Sequence, residues 1–426
     1  DDVGAVVIDV GTVETKIGYA GEDSPKYVLP SSIGILEGLP SASGTVGENA
    51  MDIDGGKKAD KTYYMGFSSL SGINEETRQR LEIKQPLKDG LIDDWEVAEK
   101  LWDHSLQCLQ VDPKETPILL AESTWNDKDR RERMCELFFE KFESPALFIS
   151  KNSVLTAFAF GKDTALVVDS GAGTTSVVPV HDGFALTKNS YKMPLAGNSL
   201  SDIYYKMVED LKVKVNPSYL VSKKEISIGN YNVTLSDKLG TKSYHDYQVR
   251  RLMDDMKAST CQTMLTTLNQ QIQHLSPVKY ELPDKNIITV ALDRYKLPEL
   301  MFNPGLVDKR HMELPSDSVG VHQLAYKAIL SCDNDLRMQL FNNVIVSGGN
   351  SLHNGFAQRL TNELQALVNT SRGVKLKVVS PSSTECRFSV WIGGSILASL
   401  GSFQQMWMSK VEYNEYGKSM VDRKCP

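Results

Sequence analysis

The stretch Ala5-Val6-Val7-Ile8-Asp9-Val10-Gly11-Thr12 decides the fold. Apolar, mostly β-branched residues run uninterrupted into an acid, and a glycine follows two positions on. Such a run reads as a strand buried on both faces, with the acid at its carboxyl end. The pattern returns at Ala165-Leu166-Val167-Val168-Asp169-Ser170-Gly171-Ala172-Gly173-Thr174-Thr175, with Asp169 standing 160 residues after Asp9. Two copies of strand, acid, glycine and hydroxyl imply two related halves facing each other. A third strand of this style, Asn343 to Val346, enters the turn Ser347-Gly348-Gly349-Asn350.

Length and composition agree with a two-part globular chain. At 426 residues it exceeds one typical core, and 41% hydrophobic with 24% charged residues is ordinary for a globular protein. A net charge of −7 disfavours a free-standing nucleic-acid binder, although not a role inside an assembly that touches DNA. The six cysteines form no CxxC pair and the seven histidines no zinc spacing. No apolar run approaches the ~20 residues of a membrane helix. No signal peptide is legible in a chain that begins at Asp1 without a Met, so a few residues are expected to be missing. A reducing compartment, cytosol or nucleus, is expected.

Between the repeats the chain alternates strand and helix, which is α/β patterning. Glu14–Ala20 returns as the second strand of a hairpin. Residues 38–61, rich in Gly, Ser, Asp and Lys, read as a mobile surface insertion. Asp93 and Asp94 suit the cap of a helix carrying Trp95, Ala98, Trp102, Leu106 and Leu109. Ile118–Glu122 and Ala146–Ile149 read as strands. Asn126 or Asp127 caps a helix with Met134, Leu137, Phe138 and Phe142 on one stripe, and Asn152–Phe160 is a helix ended by Gly161. An amphipathic helix is expected over Leu252–Leu268, and a glycine-tight turn into an apolar helix at Trp391–Ala398.

A glycine after a buried strand lets the backbone turn tightly, so that consecutive N–H groups form a concave anion site. Thr12, Thr174 and Thr175 add hydroxyl donors. Asp9 and Asp169, one from each hairpin, can hold a hydrated divalent cation between them and a phosphate. Lys16, following such a turn, is a candidate for countering phosphate charge. Gly348-Gly349 could admit a nucleoside. Each piece alone has an ordinary structural reading; the repetition favours the ligand.

The chain resembles the actin family over nearly its whole length. The resemblance rests on Trp391 through Leu400 (WIGGSILASL) with Phe403-Gln404-Gln405-Met406-Trp407 after it, on terminal Arg423-Lys424-Cys425, and on Gly18 to Asp23, Val168 to Gly171 and Pro194 to Gly197. It implies an actin-like two-domain ATPase fold, duplicated ribonuclease H-like α/β domains around a nucleotide cleft. The first lobe would be residues 1–159 plus 389–426, with an insertion-bearing subdomain at about 31–84. The second would be 160–388, with an outer subdomain at about 197–302. The implied ligand is ATP with Mg²⁺ or Ca²⁺ bound through water, the metal facing Asp9 and Asp169. The nucleotide would be held by Asp9, Gly11, Thr12, Val13, Lys16, Asp169, Gly171, Ala172, Gly173, Thr174, Lys257, Gly348, Gly349, Asn350 and Arg387.

Departures from the family pattern point to holding rather than cutting. Val13 stands where actins have a further glycine, so freedom for positive φ is lost and the phosphate is crowded. Ala172 replaces an aspartate of the metal's water shell. Asn152 replaces the glutamine that orients the attacking water, one methylene shorter, and Ser176 replaces the assisting histidine. A misplacement of about an ångström costs on the order of 10²-fold in rate. Lys257 keeps a nucleotide-contacting lysine, but Ala258 replaces the adjacent glutamate. Near the adenine, Asn350, Leu352 and His353 differ, while Arg387 keeps a cation. ATP is therefore expected as a structural ligand with slow or no hydrolysis, and no residue is assigned a catalytic role.

The insertion, with Met51-Asp52-Ile53-Asp54-Gly55 inside it, would obstruct ordinary filaments. With the weakened turns and the Arg-Lys-Cys-Pro end it looks like the nuclear, non-polymerising branch of the family. That branch implies nuclear localisation and a scaffold role in chromatin remodelling and histone acetyltransferase complexes. Expected partners are nuclear actin, a long helix of a remodelling ATPase or scaffold subunit, and, within the complex, histones or nucleosomal DNA, with no membrane. The competing readings are a polymerising cytoskeletal ATPase and a small-molecule kinase on the same fold.

Overall fold

A computed structural model describes residues 4–38, 61–268, 276–368, 375–380 and 382–426. The expected insertion, Met51 to Gly55 included, lies almost wholly outside the described residues. Among the described residues no helix is long and apolar enough to cross a membrane.

Val6–Val10 is an inner strand of a six-stranded sheet, antiparallel to Glu14–Tyr19 and parallel to Ile118–Glu122. The order is Met408–Ser409, Ala146–Lys151, Ile118–Glu122, Val6–Val10, Glu14–Tyr19, Tyr27–Pro30. Ala165–Ser170 repeats the arrangement in a second sheet, antiparallel to Thr175–His181 and parallel to Val344–Ser347. Each repeat strand is apolar on both faces because helices cover both sides of its sheet: Val6, Val7, Leu166 and Val168 are wholly buried. Each sheet anchors its own apolar core.

The register places Lys16 opposite Asp9 and Ser176 opposite Asp169. Smaller sheets lie farther out: Ile33–Glu37 with Lys61–Tyr64 and Glu82–Lys84, and the ribbons Val221–Ser227 with Asn230–Leu235 and Val278–Glu281 with Ile287–Val290.

Helix Trp95–Leu109 begins at Asp94, whose side chain accepts from Val97 N–H, and Asp127 rather than Asn126 caps Lys128–Glu136. Gly161 ends the run after Asn152–Ala159 at φ 62°.

Two expectations are corrected. Trp391–Ala398 is no turn: it lies inside the continuous helix Ser383–Ser399. Its glycines serve packing, since a Cβ on Gly393 would lie 1.7 Å from the Leu155 carbonyl oxygen and one on Gly394 2.7 Å from Val7 Cγ1. The helix thus lies directly against Asn152–Ala159 and the first repeat strand, where the Trp391 indole donates to the Val7 carbonyl at 3.0 Å. The amphipathic helix expected over 252–268 runs instead over Lys242–Thr260, starting at the Thr241 cap. Its buried stripe of Tyr244, Gln248, Val249, Met253 and Met256 includes residues that a purely apolar count passes over.

Candidate functional site

The two glycine turns close identically. Gly11 N–H donates to the Glu14 carbonyl at 3.0 Å, and Gly171 N–H to the Thr174 carbonyl at 3.0 Å. Within these closed turns the amides of Thr12, Val13, Ala172 and Gly173 donate to no acceptor among the described residues. Such paired free N–H groups form an anion nest in each lobe. The turns meet: a Cβ on Gly173 would lie 2.5 Å from Thr12 Oγ1.

Around them lies a cavity of about 450 Å³, and every one of the fifteen residues expected to hold the ligand, from Asp9 to Arg387, is in its wall. Asn152, Ser176, Ala258, Leu352 and His353 line it as well. Lys16 Nζ lies 3.3 Å from Asp9 Oδ2. Burial and the facing Asp9 push the Asp169 carboxyl up to about 6, with Lys16 opposing. Two carboxylates facing one another across the lobes, with one lysine beside them, leave a deficit of positive charge. A divalent cation fits that chemistry, and the anion nests beside it fit phosphates.

Asn152, Asn198 and Asn350 each bury a side-chain oxygen with no partner, and His353 its Nε2; all four residues belong to the cavity wall. Unpaired buried polar atoms are costly, and small rotations would turn these toward a ligand or its waters. Burial, and then Lys257, lower the His353 imidazole to about 4, so the ring is neutral at pH 7. Neutral His353, Leu352 and Ala258 add uncharged surface to a wall that also carries Asp254 and Lys257.

Val13 has no positive φ, in keeping with its β-branched side chain, and the residue is 38% exposed. Three residues are placed differently from expectation. Thr175 is buried and bonded to Ser170 Oγ at 2.8 Å, so it lends no hydroxyl to a ligand. The Lys257 ammonium is taken by Gly197 O at 2.6 Å, Ser201 Oγ at 2.6 Å and Asp254 Oδ1 at 3.1 Å, leaving chiefly its stem to face the cavity. Arg387 pairs with Glu14, its Nε 3.0 Å from Oε2, and so fastens the start of helix Ser383–Ser399 to the first hairpin.

Sequence reasoning missed Asn198, Asp254 and Trp125 in the wall. Asn198 had a local signal: the Pro194–Gly197 segment leads straight into the helix Gly197–Asp210, whose Gly197 and Asn198 amides donate to Gly171 and Ala172 carbonyls at 2.9 and 2.8 Å.

The profile of the Actin family matches residues 1–426. The chain belongs to the actin family. It is 39% identical to actin-related protein 4 of Arabidopsis thaliana, over 100% of this chain and 99% of that one. It is 40% identical to actin-related protein 4 of Oryza sativa subsp. japonica, with the same coverage. It is 33% identical to the SWI/SNF and RSC complexes subunit arp42 of Schizosaccharomyces pombe, over 100% of both chains. The branch anticipated from the departures is that of actin-related protein 4, the name the two plant relatives carry. The α/β architecture is that of the actin fold.

Proposed function

We propose that this chain is a non-polymerising actin-related subunit of nuclear chromatin remodelling and histone acetyltransferase complexes, and that it holds ATP as a structural ligand. The observation that carries the ligand is the meeting of two matched anion nests beside Asp9 and Asp169. The assembly rests on the likeness to the plant actin-related proteins 4 and to a SWI/SNF and RSC subunit. The expected neighbours are nuclear actin and a long helix of a remodelling ATPase or scaffold subunit, with histones or nucleosomal DNA within reach of the complex.

A bound divalent cation would supply positive charge against the phosphates. The chain's own residues do the holding. The amides of Thr12, Val13, Ala172 and Gly173 would donate to phosphate oxygens, Lys16 would counter their charge, and Asp9 and Asp169 would hold the cation. Ala172, Ser176 and Asn152 line the cavity, but alanine cannot move a proton and neither serine nor asparagine is a base at neutral pH. Nucleotide that binds only the folded chain stabilises the two-lobed arrangement by mass action.

The test is purification of the tagged full chain from nuclei, followed by sedimentation of the recombinant protein in polymerising salt. Co-elution with actin and a remodelling ATPase, and a chain that stays in the supernatant, are expected. Robust pellets with phosphate release would establish the cytoskeletal reading instead.

A further inference from the structure

Helix Trp95–Leu109 carries a pair of side chains that the interlobe cavity does not use. Residues four apart on a helix stand on one face, a turn above each other. His104 and Cys108 are such a pair, and Cys108 Sγ lies 3.6 Å from His104 Nε2. Neither a pattern of paired cysteines nor one of paired histidines meets this mixed spacing.

The distance suits a metal ion. Zn²⁺ sits about 2.3 Å from a thiolate sulfur and about 2.0–2.1 Å from an imidazole nitrogen. At the tetrahedral angle two such bonds set sulfur and nitrogen about 3.6 Å apart. The pair therefore has the bite of a tetrahedral site, and side-chain rotations alone can turn both lone pairs onto one ion. A thiol–imidazole hydrogen bond has a similar span and is the competing reading.

The helix holds the pair still. Asp94 caps its start, and Trp102, Leu106 and Leu109 bury another of its faces in the first-lobe core. Tyr19 OH donates to the Leu109 carbonyl at 3.3 Å, and Ser105 Oγ to the Leu101 carbonyl at 2.6 Å. An ion that binds here orders little that is not ordered already. His104 and Cys108 are both half-buried, so ions and solvent reach them.

Burial lowers the His104 imidazole, with Asp103 opposing, so the ring is neutral at pH 7 and offers a lone pair. Burial raises the Cys108 thiol, so the sulfur keeps its proton until an ion displaces it. Binding forms the Zn–S bond, breaks the S–H bond and releases one proton to solvent. Thiolate and imidazole favour a borderline-soft ion over Mg²⁺ or Ca²⁺. Among the described residues no cluster of three or more His, Cys, Asp or Glu could hold a metal, so water fills the other positions.

We propose that His104 and Cys108 form a zinc site with two protein ligands, separate from the interlobe cavity, whose wall includes neither residue. It does not depend on the nucleotide. Two of the four ligands of a closed site give a dissociation constant on the order of 1–100 µM.

The experiment uses the full chain, reduced and freed of metal, in excess Mg²⁺, which occupies carboxylate sites and competes poorly for sulfur and nitrogen. Co²⁺ is added as a spectroscopic stand-in, and Zn²⁺ is titrated against a chromophoric chelator. In parallel, Cys108 is alkylated with iodoacetamide, with and without Zn²⁺, and followed by peptide mass mapping. The same measurements are made on Cys108→Ser, His104→Gln and Gln107→Ala.

The parent chain should show a thiolate-to-cobalt charge-transfer band in the near ultraviolet, and saturating Zn²⁺ should slow Cys108 alkylation roughly fivefold or more. Both ligand variants should lose the band and bind Zn²⁺ roughly tenfold more weakly or worse, since even outer partners of a ligand change affinity by that much. Gln107→Ala should leave both unchanged. A parent chain with no band and no zinc protection of Cys108 has only the thiol–imidazole hydrogen bond and overturns the site, as does a band that survives Cys108→Ser. If a ligand variant fails to fold, the band and the protection in the parent chain decide by themselves.

Discussion

Thr12 and Gly173 are in contact across the two lobes: a single methyl group on Gly173 would stand 2.5 Å from the Thr12 hydroxyl oxygen. The duplicated turns thus form one composite wall, and each depends on the other's bareness. Gly173→Ala should push the turns apart. Overpacking of about 1–3 kcal/mol translates into ATP affinity weakened about tenfold or more, with little change in the fold. Titration calorimetry of the variant checks this, and unchanged affinity would separate the two turns functionally.

Burial of Asp169, and then the facing Asp9, set a pH dependence. The Asp169 pKa in the folded chain, about 6, lies above its ordinary value, so the folded state holds the proton more tightly than the unfolded state. Stability of the ligand-free protein therefore falls as pH rises from about 4 to about 6 and stays lowered above that. Asp169→Asn removes the penalty. Thermal melts should show the ligand-free variant more stable than the parent at pH 8, by on the order of 2 kcal/mol, and no more stable at pH 4. Mg²⁺–ATP should raise the parent's melting temperature and the variant's far less.

Gly393 has no room for a side chain, with the Leu155 carbonyl 1.7 Å from where its Cβ would be. Gly393→Ala should separate helix Ser383–Ser399 from Asn152–Ala159 and cost about 3 kcal/mol or more. Urea denaturation measures it. A cost below about 1 kcal/mol would mean that the helices slide apart freely.

Arg131 ties the end of the chain to the first lobe. Its guanidinium meets Glu122 at 3.1 Å, Asp422 at 2.9 Å and the Cys425 carbonyl. Burial pushes the Glu122 carboxyl upward, and Arg131 opposes it. Arg131→Met would leave Glu122 buried without its cation, a loss of about 3–5 kcal/mol at pH 8. Because Glu122 then holds its proton more readily, the loss should shrink toward pH 5. Melts across that range give the sign directly.

The repeat at Asp9 and Asp169 was legible because buried strands and glycine turns are local patterns, and the register of each hairpin followed from the turn. Wall residues named from the family resemblance also converge on the cavity. What was not legible depends on contacts between distant segments. Gly393-Gly394 reads locally as a chain breaker, and only the helix crossing over Leu155 shows why the glycines are mid-helix. Lys257 and Arg387 read as free cations until Asp254 and Glu14 come beside them. Val13 was expected to lack positive φ, and the turn closes through Gly11 N–H and Glu14 O without it.

On the proposed function the cleft holds a nucleotide and does not cut it. Val13, Ala172, Asn152 and Ser176 line the cavity. The most direct measurement is to purify the full chain, denature aliquots over hours at room temperature and separate the released nucleotide by chromatography. Close to one ATP per chain, unchanged over that time, is predicted. Steady conversion to ADP with phosphate release at actin-like rates, or a chain that carries no nucleotide, would contradict it.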